Sequence, residues 1–199
     1  MLVSLAVLLK DPRVDVALAD EDRCTPLWCA SYCGHFEVVE WLIASGRDLG
    51  DVMNKKGIWG DDEDYTALEI AREEGHTEVE SVLENFLSNP TQTRHELRVE
   101  LGVLDALAAE IFALTVFLCD DLLHLKPSLL VAITIAIITA TTAATRFFAI
   151  AKRLPMELQM VLCHRAVGSM KQDILRRDSE PAFHSLAKSL LVVKHCTVS

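Results

Sequence analysis

The sequence lacks the compact motifs of the common catalysts. No Gly-x-x-x-x-Gly-Lys-Ser/Thr loop is present to cradle phosphates, and no Gly-x-Ser-x-Gly elbow to present a nucleophile. His95-Glu96 is not followed by a second histidine four residues after the first, so the helical zinc-protease pattern is excluded. Asp61-Asp62-Glu63-Asp64 lacks the ligand spacing of a calcium-binding hand and reads as a solvated loop. The seven histidines are scattered along the chain. These absences leave no residues to which a reaction could be assigned. We therefore expect no enzyme, no bound metal and no cofactor.

Cysteine is present but not organised. Cys24, Cys29, Cys33, Cys119, Cys163 and Cys196 show no paired framework, which points to reduced thiols and a cytoplasmic or otherwise intracellular setting. Cys29 and Cys33 stand four apart with His35 nearby, yet a metal there would need a fourth ligand and tetrahedral geometry. Met1 to Leu9 is apolar but has neither the basic region nor the small-residue cleavage site of a secretory leader; it reads as the interior of a structural unit already under way. Charge of one sign is also scarce where it would matter for nucleic acid. Residues 1–89 carry 19 acidic against 7 basic side chains, a net of −12, and residues 90–199 a net of +2. The acidic half repels phosphates and favours a protein partner with a basic patch. With 51% hydrophobic residues, the chain has enough apolar surface for a real core.

What the sequence does contain is a repeat. Thr25-Pro26 opens a helix, with Thr25 as cap and Pro26 in the first turn. Gly34-His35 turns the chain, and Val38, Val39, Leu42 and Ile43 form the stripe of a second helix that ends at Gly46. The landmarks recur: Thr25 to Thr66, Leu27 to Leu68 and Gly34 to Gly75 are each separated by 41 positions. Two short helices joined by a glycine turn cannot bury their faces alone and need a stacked neighbour.

The Thr-Pro-Leu-x-x-Ala run and the repeated pairing resemble the ankyrin repeat family, whose period is about 33 residues. The resemblance implies an all-α solenoid of helical hairpins covering residues 1–89: a partial repeat at 1–19, a full repeat at 20–53, and a repeat with a long insert at 54–89. The insert of roughly eight residues falls at Lys55 to Asp64. Three departures stand out. Arg23 and Asp64 replace the glycine that the family usually carries two positions before the threonine, which predicts less ideal turns. Trp28 and Glu69 replace the family histidine, which predicts a lost hydrogen bond. Glu80 and Glu84 replace Val39 and Ile43, as suits a terminal repeat. The resemblance also implies a protein-interaction module or adaptor that binds through hairpin tips and a concave face. By the offset, that face carries Asp22, Arg23, Cys29, Tyr32 and Cys33 in one repeat, and Asp64, Tyr65, Ile70, Glu73 and Glu74 in the next. The insert adds Trp59, Asp61, Asp62 and Glu63, and is expected to be a partner-contacting loop rather than a structural element.

Beyond Asn89-Pro90, a long helix is predicted to start at Thr93 and run through 90–126, with Thr93 and Glu96 as its capping box. Fewer than three repeats bury too little surface, so this helix is expected to supply the missing apolar face. Residues 127–145 carry no charge and admit three readings: a segment packed in the domain, a membrane span over 129–145, or a linker. The span would make this a membrane-anchored member of the family; it is not the favoured reading, because the second half is rich in Thr and Ala and no aromatic belt flanks the first. Residues 146–199 return to helical patterns. Pro155 starts one helix, with Leu158, Val161 and Leu162 as its buried face, and Ala182 to Val193 forms the last. Leu154-Pro155-Met156-Glu157-Leu158 also resembles the opening of F-box-like segments, which would make the chain a substrate receptor for ubiquitination. No feature fixes an oligomeric state.

Overall fold

The computed structural model describes residues 2–52, 54–59, 63–119 and 141–196. They divide into two compact units, residues 1–101 and 102–199. The fold is all-α; among the described residues the only strands form one short ribbon.

Unit 1 begins with α1 (Leu2–Lys10), followed by the pair α2 (Pro26–Tyr32) and α3 (Phe36–Ser45). The second pair is α4 (Ala67–Glu73) and α5 (Thr77–Ser88). Between the pairs lies an antiparallel ribbon of β1 (Gly57–Trp59) and β2 (Glu63–Tyr65), with Gly57 opposite Tyr65 and Trp59 opposite Glu63. The local chemistry follows the sequence closely. The Thr25 hydroxyl accepts from the Trp28 amide at 3.2 Å, and Pro26 occupies the first turn. Thr66 and Glu69 form a reciprocal capping box, the Thr66 amide donating to Glu69 Oε2 at 2.8 Å. One apolar core runs through the stack: Leu9, Val16, Leu27, Ala30, Val39, Leu42, Ile43, Ala71, Val79 and Leu83 are all buried. Leu27 and Leu68 are not equivalent. Leu27 is 2% exposed, whereas Leu68 is half-buried, because no further repeat packs on the face that Leu68 presents.

The expected single helix over 90–126 is divided. Asn89, not Thr93, caps its start, accepting from the Gln92 amide, and α6 runs from Pro90 to Glu100. Leu101 and Gly102 then interrupt the helical run, Gly102 in the left-handed region at φ 69°, and α7 (Val103–Cys119) begins afresh. Thr93, read as a cap, is instead buried inside α6. The helix does close the first unit. Leu97 is buried in the core with Leu101 against it. Arg94 Nε donates to the Ile43 carbonyl at 3.1 Å and Arg98 Nε to the Ala44 carbonyl at 2.7 Å, so α6 places two cations on carbonyls at the carboxyl end of α3. Arg94 also lies over the Phe86 ring, 5.3 Å from its centre.

Unit 2 comprises α7, α8 (Thr141–Ala151), α9 (Met156–Ala166) and α10 (Arg176–Cys196), with α8, α9 and α10 all touching α7. Ala109, Ala113 and Ala182 let the helices approach, and Phe183 packs edge-on to Phe112 at 6.2 Å. The last helix starts six residues before the expected Ala182 and contains Pro181. Pro155 precedes α9 as expected, but the buried face is Gln159, Cys163 and His164, while Leu158 is 50% exposed. The apolar spacing was there, yet the helix is rotated to bury a histidine whose Nε2 lies 3.0 Å from the Asp173 carbonyl. Of the uncharged stretch, residues 127–140 lie outside the described residues, and 141–145 open α8. No single helix among the described residues is long and apolar enough to cross a membrane.

Candidate interaction face

The candidate site in unit 1 is built on α2 and α4, which stack as the first helices of successive pairs. Trp28 joins them. Its ring is buried, its Nε1–H donates to the Tyr65 carbonyl at 2.8 Å, and it stacks on Tyr32 with ring centres 5.7 Å apart. The expected loss of a hydrogen bond at Trp28 and Glu69 is therefore corrected: the indole and the carboxylate each supply one of their own. Cys24, Trp28 and Ile70 form a buried cluster with Tyr32 and Tyr65 half-buried around it. Ile70, expected on the accessible face, is fully buried and offers nothing to a partner.

Around Tyr32 the structure gathers several expected residues. Cys29 on α2 and Cys33 at its carboxyl cap are exposed, and Glu73 and Glu74 are exposed at the end of α4. Partial desolvation, then the charge of Glu74, raises the Tyr32 hydroxyl above its ordinary pKa. Desolvation and the charge of Asp20 push the Cys29 thiol up, and burial pushes Cys24 up to about 11. Both thiols stay protonated at neutral pH, which does not suit a nucleophile. Among the described residues no three His, Cys, Asp or Glu side chains converge to hold a metal.

A second group forms at the ribbon. Arg23 adopts φ 63°, the left-handed geometry in which glycine is usual, and pairs with Asp64, the residue at the matching position of the next repeat. The two departures from the glycine pattern thus hold each other. Asp22 is exposed, and its carbonyl accepts from the Ile58 amide at 2.9 Å. Lys56, unremarked in the sequence, reaches the Asp64 carbonyl and lies 3.9 Å from Glu69. The insert, expected to be a partner-contacting loop rather than a structural element, does form a structural element, the ribbon of β1 and β2. Gly57 is buried, and a Cβ there would stand 2.8 Å from Cys24 Sγ and 3.0 Å from the Trp28 ring. Trp59 and Glu63 are placed by the strand register alone, and Asp61 and Asp62 lie outside the described residues.

The stacked hairpins, the Thr-initiated first helices and the ribbon between the pairs agree with one finding from known families. Residues 2–92 match the family model for ankyrin repeats, in three copies. The first unit of this chain is an ankyrin-repeat region. The match ends inside α6, so the ankyrin unit of this chain carries an added helix whose last turns fall beyond the repeats. No curated protein and no solved structure matches the chain. Ankyrin repeats generally mediate protein–protein interaction and typically serve as binding modules instead of catalysts.

Proposed function

We propose that this chain, with its ankyrin repeats, is an intracellular, non-enzymatic adaptor that binds a basic protein surface through the face around Tyr32 and the ribbon. The observation that carries the reading is Tyr32 itself: a half-buried aromatic ring, backed by Trp28 and close to the charge of Glu74, with Glu73, Cys29 and Cys33 exposed on the same pair of helices. A rigid aromatic anchor with a charged rim is the arrangement that concentrates binding energy in protein interfaces. Asp22, Arg23, Asp64 and Tyr65 extend this surface to the ribbon, and the rest of the insert, Trp59, Asp61, Asp62 and Glu63, supplies an aromatic and three acidic residues in sequence. The net −12 of residues 1–89 supports steering of a basic partner and repels nucleic acid. The free thiols of Cys24, Cys29, Cys33, Cys119 and Cys163 support a reducing compartment.

The test is capture with the full chain as bait, followed by binding measurements on the purified partner. Tyr32→Ala should mainly raise the off-rate. Replacing Glu73 and Glu74 by glutamine should mainly lower the on-rate, an effect that fades as salt shortens the Debye length below about 8 Å. Unchanged kinetics in both variants would remove this face from the interface.

A further inference from the structure

In an acidic chain of net charge −10, one stretch of the second unit is basic. From Leu122 to Met156 the sequence holds no carboxylate. From Arg146 to Lys171 it holds five cations, Arg146, Lys152, Arg153, Arg165 and Lys171, against Glu157 alone. Two of the five are engaged within the unit: Arg165 Nη1 donates to the Ser169 carbonyl at 2.7 Å, and Lys171 pairs with Asp105. Arg146, Lys152 and Arg153 are exposed, and they flank the turn that joins α8 to α9.

That turn is tightly closed and stands in water. The amides of Lys152, Arg153 and Leu154 donate to the carbonyls of Phe148, Ile150 and Ala151, each at 3.0 Å, and wind down the end of α8. Gln159, itself buried, donates from Nε2 to the Leu154 carbonyl at 2.9 Å and ties the turn to the first coil of α9. Of residues 149–158, only Ala151 is buried and Leu154 half-buried. Ile150, Met156 and Leu158 are 55%, 58% and 50% exposed. A single exposed apolar side chain is ordinary, but several large ones at one turn mark a surface that meets something apolar.

We propose that the α8–α9 turn docks the second unit on an anionic lipid bilayer, with Ile150, Met156 and Leu158 entering the headgroup boundary and Arg146, Lys152 and Arg153 on the lipid headgroup anions. Charge complementarity selects this occupant. Cations on long apolar stems beside aliphatic side chains suit a bilayer interface, where the stems lie along acyl chains and the heads reach the phosphates. Protein hot spots centre instead on Trp, Tyr or Arg seated in pockets. Here the aromatic rings, Phe147 and Phe148, are half-buried and packed edge-on to each other at 5.2 Å, and the exposed apolar side chains are aliphatic or thioether. The contact lies on the membrane and does not span it. It uses no residue of the Tyr32 face and stands or falls apart from that reading.

The probe is a vesicle of phosphatidylcholine with about one-third phosphatidylserine, mixed with the full chain and floated on a density gradient; pure phosphatidylcholine is the neutral counterpart. The chain should float with the first and stay behind with the second. Salt should release it as the Debye length falls below about 8 Å. Lys152→Gln combined with Arg153→Gln should lower the partition coefficient about 25-fold, roughly fivefold for each charge near an anionic surface. Ile150→Ser combined with Met156→Ser should lower it about tenfold or more with every charge in place. All four side chains are exposed, so the helical circular dichroism of both variants should match the parent. Failure to float with the anionic vesicle, or equal flotation with both vesicles, would overturn the proposal. Flotation unaltered in both variants would also overturn it and place lipid binding elsewhere in the chain. Self-association at low salt that the charge variant abolishes, without any vesicle binding, would overturn it in favour of the acidic repeats of a second copy.

Discussion

Leu97→Ala tests whether α6 is a structural member of the ankyrin unit. Leu97 is 4% exposed and joins the same core as Leu42, Ile43 and Leu83. Truncating a leucine so enclosed costs about 2–5 kcal/mol, the spread reflecting how far the cavity collapses. The site has little freedom to collapse, because Arg94 and Arg98 anchor α6 on either side to the Ile43 and Ala44 carbonyls. We therefore expect about 3 kcal/mol, a large share of the roughly 5–15 kcal/mol that holds an ordinary domain. For a unit of this size each kcal/mol moves the melting temperature by about 4–8 °C. The assay uses the full chain. Its three tryptophans, Trp28, Trp41 and Trp59, all belong to unit 1, so the fluorescence transition in urea reports that unit alone. Val99→Ala on the same helix is the control: Val99 is 50% exposed and should change stability by no more than about 0.5 kcal/mol. If Leu97→Ala behaves like Val99→Ala, α6 is an appendage and the repeats stand without it.

Three other outcomes follow from the same structure. Gly57→Ala should destabilise by about 1–3 kcal/mol through overpacking against Cys24 and the pinned Trp28 ring, read from the same fluorescence transition; a neutral result would return the insert to a free loop. Leu27→Ala should cost about 2–5 kcal/mol and Leu68→Ala clearly less, since Leu68 is already half in solvent; equal urea midpoints would mean that the last repeat is covered after all. Glu40→Gln should stabilise at pH 7. Burial raises the Glu40 pKa, so the folded state takes up a proton before the unfolded chain does, and the penalty is full above the folded pKa and disappears as pH falls to the ordinary carboxylate range near 4. Urea midpoints of both proteins at pH 7 and pH 4.5 should converge at the lower pH, and a constant gap would refute the cause assigned.

The repeat was legible because its determinants are local. Thr25 and Thr66 cap, Pro26 starts a helix, and Gly34 and Gly46 end two, each by chemistry that needs only its neighbours. The division between α6 and α7 was missed because Leu97, Leu101, Leu104 and Ala108 keep an unbroken helical spacing across Gly102; a lone glycine in such a run was outvoted by the pattern, although it marks the turn. The hydrogen bond from Trp28 to Tyr65 does not show in the sequence for a different reason. It joins residues 37 apart, and the substitution of histidine by tryptophan reads as a loss when the indole N–H in fact remains a donor. Of the candidate face, Tyr32, Glu73 and Glu74 could be placed by the 41-residue offset. Ile70 could not be excluded by it, since its burial depends on how closely α2 and α4 approach. Glu40 carries no mark in the sequence at all: one glutamate among 29 acidic residues, made unusual by its burial and then by the charges of Glu100, Glu37 and Glu78.

The two full repeats differ in what they present at matching positions. At matching positions, Ser31, Val39 and Ile43 of the first are wholly buried, whereas Arg72, Glu80 and Glu84 of the second form an ion triad in partial contact with water. Burying a valine or an isoleucine contributes about 1.5–3 kcal/mol, and an exposed ion pair about 0.2–1 kcal/mol. The exchange gives the last repeat a polar face where no further repeat covers it. Leu97 joins the shared core from outside the repeat pattern, while Arg94 and Arg98 fasten α6 to the carboxyl end of α3, the helix of the preceding repeat.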